Sequence, residues 1–400
     1  MRRKASNINE PVNPSHGRGH RFNPYSAHHR LVDFIRLFGR QQKPTRQLGT
    51  EQTRNRDTRP VENPWTLFTY RPAWRSSRRT LGNLIRSYQT DQNSTYRKLR
   101  YHVRIAHDGL LRRIEAQYGN YPLSSINGAG LLGWHAEWSA GGKIANGHAF
   151  ISQLRTVFGF GATLLDDAEC ERLCSVLHKM RFQMSRPRTE RMLAEQAVAV
   201  RLRAHDRGWP SIALAQAFQF ELMLRQKDVI GEWIPIDEPG ESDVTHKGFK
   251  WLRGIRWDEI DEQLVLRHTT SKRGKPIEVD LHHAAMVMEE LSLIENRPKI
   301  GPAVICEFSG LPFRGGEFRR KWRIVANEAG VPTTVFNMDS RAGAITEADE
   351  AGADPRHIQQ AATHSDFATT QRYIRSGYVE KSADVMARRQ ALRAKRKIRS

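Results

Sequence analysis

A chain of 400 residues exceeds what one ordinary core organises, so two or three domains are expected. Its 64 Lys and Arg against 43 Asp and Glu give a net charge of +21 and a pI near 10.3, which points to a polyanionic partner, nucleic acid first. The sequence has neither an uncharged apolar run of about 18 residues nor an apolar leader core, which argues against a membrane partner and for a cytoplasmic protein, nucleoid-associated when bound to DNA.

The first segment, 1–79, reads as a basic, mostly disordered arm. Residues 1–64 hold thirteen Lys and Arg, five Asp and Glu and one short apolar patch, LVDFIRLF, too little to order the segment. A solubilising tail and a DNA-touching arm remain equally open. Over 80–184 the pattern becomes helical: LGNLIRSYQT, YRKLRYHVRIAHDGLLRRIEAQYG, HAFISQLRTVFGFGATLL and DAECERLCSVLHKMRF space apolar residues three and four apart with basic residues between. Three to five amphipathic helices with one cationic side are expected there. SRPRTERMLAEQ, 185–196, is polar and proline-bearing, as an interdomain linker would be.

A second domain is expected over 197–379. AEQAVAVRLRAHDRGW and SIALAQAFQFELMLRQKDVIGEW read as helices, the second apolar on every side until Arg225 and therefore a core helix. LVLRH and PIEVDL flank the turn SKRGK as a β-hairpin. Helices follow at HAAMVMEELSLIE, FRRKWRIVANEAG, NMDSRAGAITEADEAG and DPRHIQQAATHS, and 380–400 forms a basic C-terminal helix. The fold class is mainly α with a small antiparallel β-sheet.

Cys170, Cys174 and Cys306 form no CxxC pair and no zinc-ligand spacing, and the GxxxxGK phosphate loop is missing. Neither metal nor nucleotide cofactor is expected. Cys170 and Cys174, four apart on a helix, read as buried small hydrophobes.

Five residues carry candidate chemistry. Arg225 lies among apolar residues with Asp228 three on, a spacing that also fits a plain helix salt bridge. Arg341 opens a small-residue helix capped by Asp339 or Ser340, where the helix dipole disfavours a cation unless an anion is its target. Lys272 sits in the hairpin turn, where a lysine is commonly just solvated. His364 precedes Tyr373 by nine residues in ATHSDFATTQRYIR. Together they have the ingredients of metal-free transfer at a phosphodiester. Two guanidiniums clamp the non-bridging oxygens, a lysine protonates the leaving oxygen, a histidine steadies the phosphate or manages a proton, and a phenol activated by positive charge attacks phosphorus.

The segment RAGAITEADEAGADPRHIQQAATHSDFATTQRYIR resembles the stretch of tyrosine recombinases, or phage-type integrases, that runs from their second catalytic arginine to their nucleophilic tyrosine. MLRQKDV resembles the box around the first arginine, with Asp228 in the acidic place. IRWDEID and TTSKRGKPIEVDL resemble the segment that bears the family's lysine. The resemblance spans about residues 80–385 and is specific only in its C-terminal half. It implies an N-terminal helical core-binding domain and a C-terminal mixed α+β catalytic domain closing around duplex DNA. Arg225, Lys272, Arg341, His364 and Tyr373 would be the catalytic set, and Tyr373 would form a 3′-phosphotyrosyl link. It further implies integration of a mobile element by a homo-tetramer on paired sites, an accessory DNA-bending or directionality protein, and a C-terminal helix that reaches a neighbouring subunit.

Met338 departs from the family pattern, because a histidine commonly stands three residues before the second arginine; Ala342 replaces another common histidine. Asn337 or Asp339 could supply the missing proton acceptor. Competing readings are a non-catalytic, sequence-specific DNA-binding protein derived from an integrase and a type IB topoisomerase.

Overall fold

The computed structural model describes residues 78–398, so the expected arm over 1–79 lies outside the described residues except for its last two positions. The chain divides into two compact units. Among the described residues one comprises 78–191 with Trp233–Leu252, and the other comprises Met192–Glu232 with 253–398. Among the described residues no helix is long and apolar enough to cross a membrane.

Among the described residues the first unit is built on five α-helices: α1 (Leu81–Thr90), α2 (Tyr101–Tyr118), α3 (Gly128–Ser139), α4 (Ile144–Leu164) and α5 (Ala168–Lys179). Polar side chains start three of them by accepting backbone N–H groups: Thr80 from Asn83, Asn127 from Gly130 and Asp167 from Cys170. Leu81, Leu84, Ile85 and Tyr88 put one face of α1 into a core shared with Leu111, Ile114, Phe150, Leu154 and Leu173. Gly161 permits a close approach in this core, since a Cβ there would stand 2.4 Å from Cys170 Sγ. Cys170 is buried and Cys174 half-buried. Helix α3 was not expected, because three glycines blur its helical pattern. Burial of its Trp134 and Trp138, stacked on Tyr118 and Phe150 at 4.0 and 4.6 Å, accounts for its formation.

Strands unforeseen in the sequence belong to this unit as well. β1 (Glu232–Pro235), β2 (Thr245–His246) and β3 (Phe249–Leu252) form a sheet ordered β1-β3-β2, with β2 and β3 antiparallel in the register Thr245↔Lys250. They are too short to show alternation. The loop before β2 is tied to α2 by the ion pair Arg104–Glu238.

In the second unit α6 (Ala194–Asp206) packs on α7 (Pro210–Glu221), whose residues from Ser211 to Phe220 are all buried. The core position expected for α7 is thus observed, but the helix is shorter than its apolar run. It stops at Glu221, Met223 takes a left-handed φ of 51°, and a new short helix, α8 (Gln226–Ile230), begins with Arg225 as its cap. Arg225 therefore stands at a helix junction rather than inside a helix. The hairpin β4 (Val265–Thr269) and β5 (Pro276–Asp280) forms as expected, antiparallel from Val265↔Asp280 to Thr269↔Pro276.

Among the described residues six further α-helices belong to this unit: α9 (Ala285–Ser292), α10 (Gly315–Glu328), α11 (Asp339–Glu350), α12 (Pro355–Ala361), α13 (Phe367–Tyr373) and α14 (Tyr378–Ile398). Buried Arg201 and half-buried His205 of α6 both pair with buried Glu290 of α9, at 2.7 and 2.8 Å. Helix α11 runs so close to the chain at Met192 that a Cβ on Gly343 would fall 1.9 Å from the Met192 carbonyl oxygen. Only glycine permits this approach, which sets the depth of the helix that carries Arg341.

Candidate active site

Arg341, in the first turn of α11, is buried to 2% exposure and held on several sides. Its guanidinium donates to the carbonyls of Met223 and Ala362, and Nη2 lies 2.9 Å from His364 Nε2. Both carbonyls stand at irregular backbone: Met223 has φ 51°, and Thr363, directly after Ala362, has φ 54°. Non-glycine residues rarely adopt this conformation, and such strain concentrates where a backbone atom must be aimed. Burial first, then the nearby charge of Arg225, lower the Arg341 guanidinium to about 10, so it remains a cation at neutral pH.

His364 follows the left-handed turn at Thr363 that ends α12 and is 5% exposed. A guanidinium can only donate, so Nε2 is the acceptor toward Arg341 and the ring proton sits on Nδ1, 3.0 Å from Thr370 Oγ1. Burial, and then the charges of Arg341, Arg225 and Lys275, push the imidazole down to about 4. The histidine is thus neutral and fixed in one tautomer.

Tyr373 closes α13. Its half-buried ring stacks on His364 with centroids 5.0 Å apart, and Arg341 Cζ lies 5.5 Å from its centre. Arg225, partly exposed, places Nη1 3.7 Å from the buried Asp228 carboxylate. That carboxylate also accepts from Arg225 N at 3.2 Å and from Ser271 N at 2.6 Å, so one buried group aligns the first arginine with the hairpin turn. Arg273 in the same turn donates to Ser365 Oγ, beside His364. The turn is therefore fastened at both ends of the cluster.

Four of the five sequence candidates, Arg225, Arg341, His364 and Tyr373, share this environment. Lys272 is exposed at the turn beside it, whereas Lys275, three residues on, is half-buried and acts electrostatically on His364.

Solved structures share this architecture. A lambda integrase dimer bound to a COC′ core site aligns over 75% of this chain and 97% of its own, with a TM-score of 0.59 and 14% identity. A lambda integrase tetramer bound to a Holliday junction aligns over 74% and 78%, at 0.58 and 14%. The Tn1549 transposon integrase in complex with circular intermediate DNA aligns over 77% and 99%, at 0.54 and 12%.

The fold is that of the tyrosine recombinases. No protein-family model and no curated protein matches the sequence.

Within this tyrosine-recombinase fold Met338 caps α11 and is 57% exposed. The helix cap is this residue rather than the expected Asp339 or Ser340, which fall inside the first turn. Neither suggested stand-in for the missing histidine is presented to solvent. Asn337 is buried, with its side-chain amide unpartnered among the described residues. The buried carboxylate of Asp339 pairs with Arg375 at 3.1 Å. Sequence reasoning missed Lys275, Thr370 and the Asp339–Arg375 pair. The one available signal was that Thr370 and Arg375 lie in the same ATTQRYIR stretch as the tyrosine.

Proposed function

We propose that this protein is a site-specific DNA recombinase of the integrase type, acting through a covalent bond between Tyr373 and a 3′-phosphate. The reading is carried by one observation: two guanidiniums, a neutral histidine and a tyrosine meet at one point in a fold shared with integrases. The phenol oxygen attacks phosphorus and gives its proton to solvent. The bond from phosphorus to O5′ breaks, and O5′ takes a proton from a lysine of the β4–β5 turn, Lys272 by family resemblance. Arg225 and Arg341 neutralise the charge that grows on the non-bridging oxygens. His364 orients Arg341 by accepting its hydrogen bond. A 5′-hydroxyl from the partner strand then attacks the phosphotyrosine and restores the backbone. The energy of the broken bond is kept in the intermediate, so no nucleotide is consumed.

Double-stranded DNA is the partner this reading requires, and the net charge of +21 supplies the attraction. Tetramer assembly on paired sites is supported by the lambda integrase tetramer and by the exposed Val379, Val385, Met386 and Leu392 of α14, which await an apolar neighbour. Movement of a mobile element and help from an accessory DNA-bending protein belong to the same reading.

Met338 favours a second reading, a DNA-binding protein that has lost the chemistry. Incubation with nicked suicide duplexes, whose cleaved end diffuses away, separates the two. The recombinase yields a protein–DNA adduct that Tyr373→Phe abolishes; lack of adduct on a verified binding site selects the second reading. Relaxation of plasmid DNA without a specific site would point instead to a type IB topoisomerase.

A further inference from the structure

Arg375 and Asp339 are absent from the chemistry above, yet their pairing is among the most deeply buried charge contacts beside it. The Asp339 carboxylate is inaccessible, and Arg375 Nη1 reaches its Oδ1 at 3.1 Å from a largely buried side chain. Asp339 is the first residue of α11, two before Arg341. Arg375 lies two after Tyr373. The backbone between them is fixed a second time by Thr346 on the same helix. The buried Thr346 hydroxyl accepts from Arg375 N at 3.0 Å, and its one proton is shared between the Ala342 carbonyl of its own helix, at 2.7 Å, and the Tyr373 carbonyl, at 3.1 Å. Further on, Ser376 Oγ stands 3.4 Å and Lys381 Nζ 3.5 Å from the Asp349 carboxylate. Asp339, Thr346 and Asp349, seven and three residues apart, lie along one side of α11 and receive the chain that follows the tyrosine.

We infer that Asp339, Thr346 and Arg375 form a clasp that positions Tyr373, resting on the proposal that Tyr373 is the nucleophile. The physical reason is that a tyrosine on the last turn of a seven-residue helix has little intrinsic rigidity. Its distance from the phosphate must nonetheless be held within a fraction of an ångström for attack, and misplacement by 1 Å can cost about 10²-fold in rate. Fastening the residues after Tyr373 to α11 ties the segment of the nucleophile to the helix that carries Arg341. The three residues touch no reacting atom and are positioning residues. Asp339 is thereby the anchor of the clasp and not the replacement for the histidine absent at Met338.

Thr346→Val removes the bridging hydroxyl at nearly constant shape, Thr346→Ser keeps it, and Arg375→Lys keeps the charge but not the fork. Each is compared with wild type for binding to a cognate duplex, melting temperature and rate of adduct formation on suicide substrates. The substrates carry either an ordinary O5′ or a bridging 5′-sulfur, whose thiolate leaves without a proton. The clasp predicts roughly 10- to 100-fold slower adduct formation for Thr346→Val and Arg375→Lys on both substrates. Thr346→Ser should react near the wild-type rate, and binding should be unchanged. Wild-type rates in Thr346→Val and Arg375→Lys would overturn the clasp, as would a defect that disappears with the sulfur substrate, which belongs to leaving-group protonation. If Thr346→Val and Arg375→Lys both lose their melting transition, the contacts serve stability and the inference fails. Absence of adduct from the wild type itself marks failure of the recombinase reading, and the clasp falls with it.

Discussion

The rings of His364 and Tyr373 lie face to face, their centroids 5.0 Å apart and their planes 25° from parallel. The stack buries the imidazole against an aromatic face on one side, while Arg341 donates to its Nε2. A protonated ring would lose that acceptor and add a third positive charge beside Arg341 and Arg225.

Stability should therefore fall in mild acid. The His364 imidazole, near 6.5 in an unfolded chain, is lowered to about 4 in the fold. Between those values the unfolded state binds the extra proton, so its stability contribution is present above pH 6.5 and is lost as pH falls toward 4, by roughly 2–3 kcal/mol. Urea unfolding at pH 7 and pH 4.5 measures the loss. His364→Gln should flatten this part of the pH dependence; an equal slope in the variant would assign it to other groups.

The two arginines should separate chemistry from folding. Arg225→Ala and Arg341→Ala both abolish adduct formation and leave duplex binding largely intact. Arg341→Ala also strands the Met223 and Ala362 carbonyls and should destabilise by about 3 kcal/mol. The partly exposed Arg225 should cost about 1 kcal/mol or less. Normal cleavage by both variants would disprove the clamp.

The hairpin lysines can be told apart by the leaving group. Loss of the proton donor slows cleavage at O5′, and a bridging 5′-sulfur restores the rate. We expect this rescue for Lys272→Ala, whereas Lys275→Ala should stay slow on both substrates because its charge faces His364. Rescue of Lys275→Ala alone would move the proton-donor role to Lys275.

Thr363→Gly should stabilise the fold. A β-branched residue at φ 54° is strained, and glycine relieves the strain at some entropic cost, for a net gain of roughly 0.5–1 kcal/mol. Chemical denaturation reads the shift; a decrease would mean that the threonine side chain contributes more than the strain removes.

Met338→His tests the missing histidine. The site is 57% exposed, so the substitution should change stability by less than about 0.5 kcal/mol. An imidazole there should accelerate adduct formation up to about 10²-fold, with the gain appearing above about pH 6.5 where it is neutral. An unchanged rate would show that solvent or a neighbouring group already takes the proton.

What the sequence by itself determined is local. The 3.6-residue periodicity of LGNLIRSYQT, the turn in TTSKRGKP and the nine-residue step from His364 to Tyr373 rest on neighbours in the chain, and their residues show them directly. The site candidates were legible for the same reason, as cations and a phenol in recognisable short segments. Tertiary structure alone decided which of these segments meet. Arg341 finds its carbonyl partners at Met223 and Ala362, 118 and 21 positions away, and the buried Asp228 draws in Ser271 across 43. The long apolar run through Arg225 breaks because the left-handed turn at Met223 aims a carbonyl at Arg341, an advantage that exists only once α11 has packed. Arg375 likewise reads as one more surface cation until burial against Asp339 fixes it behind the tyrosine. Burial and long-range pairing are properties of the folded chain, which is why these assignments required the structure.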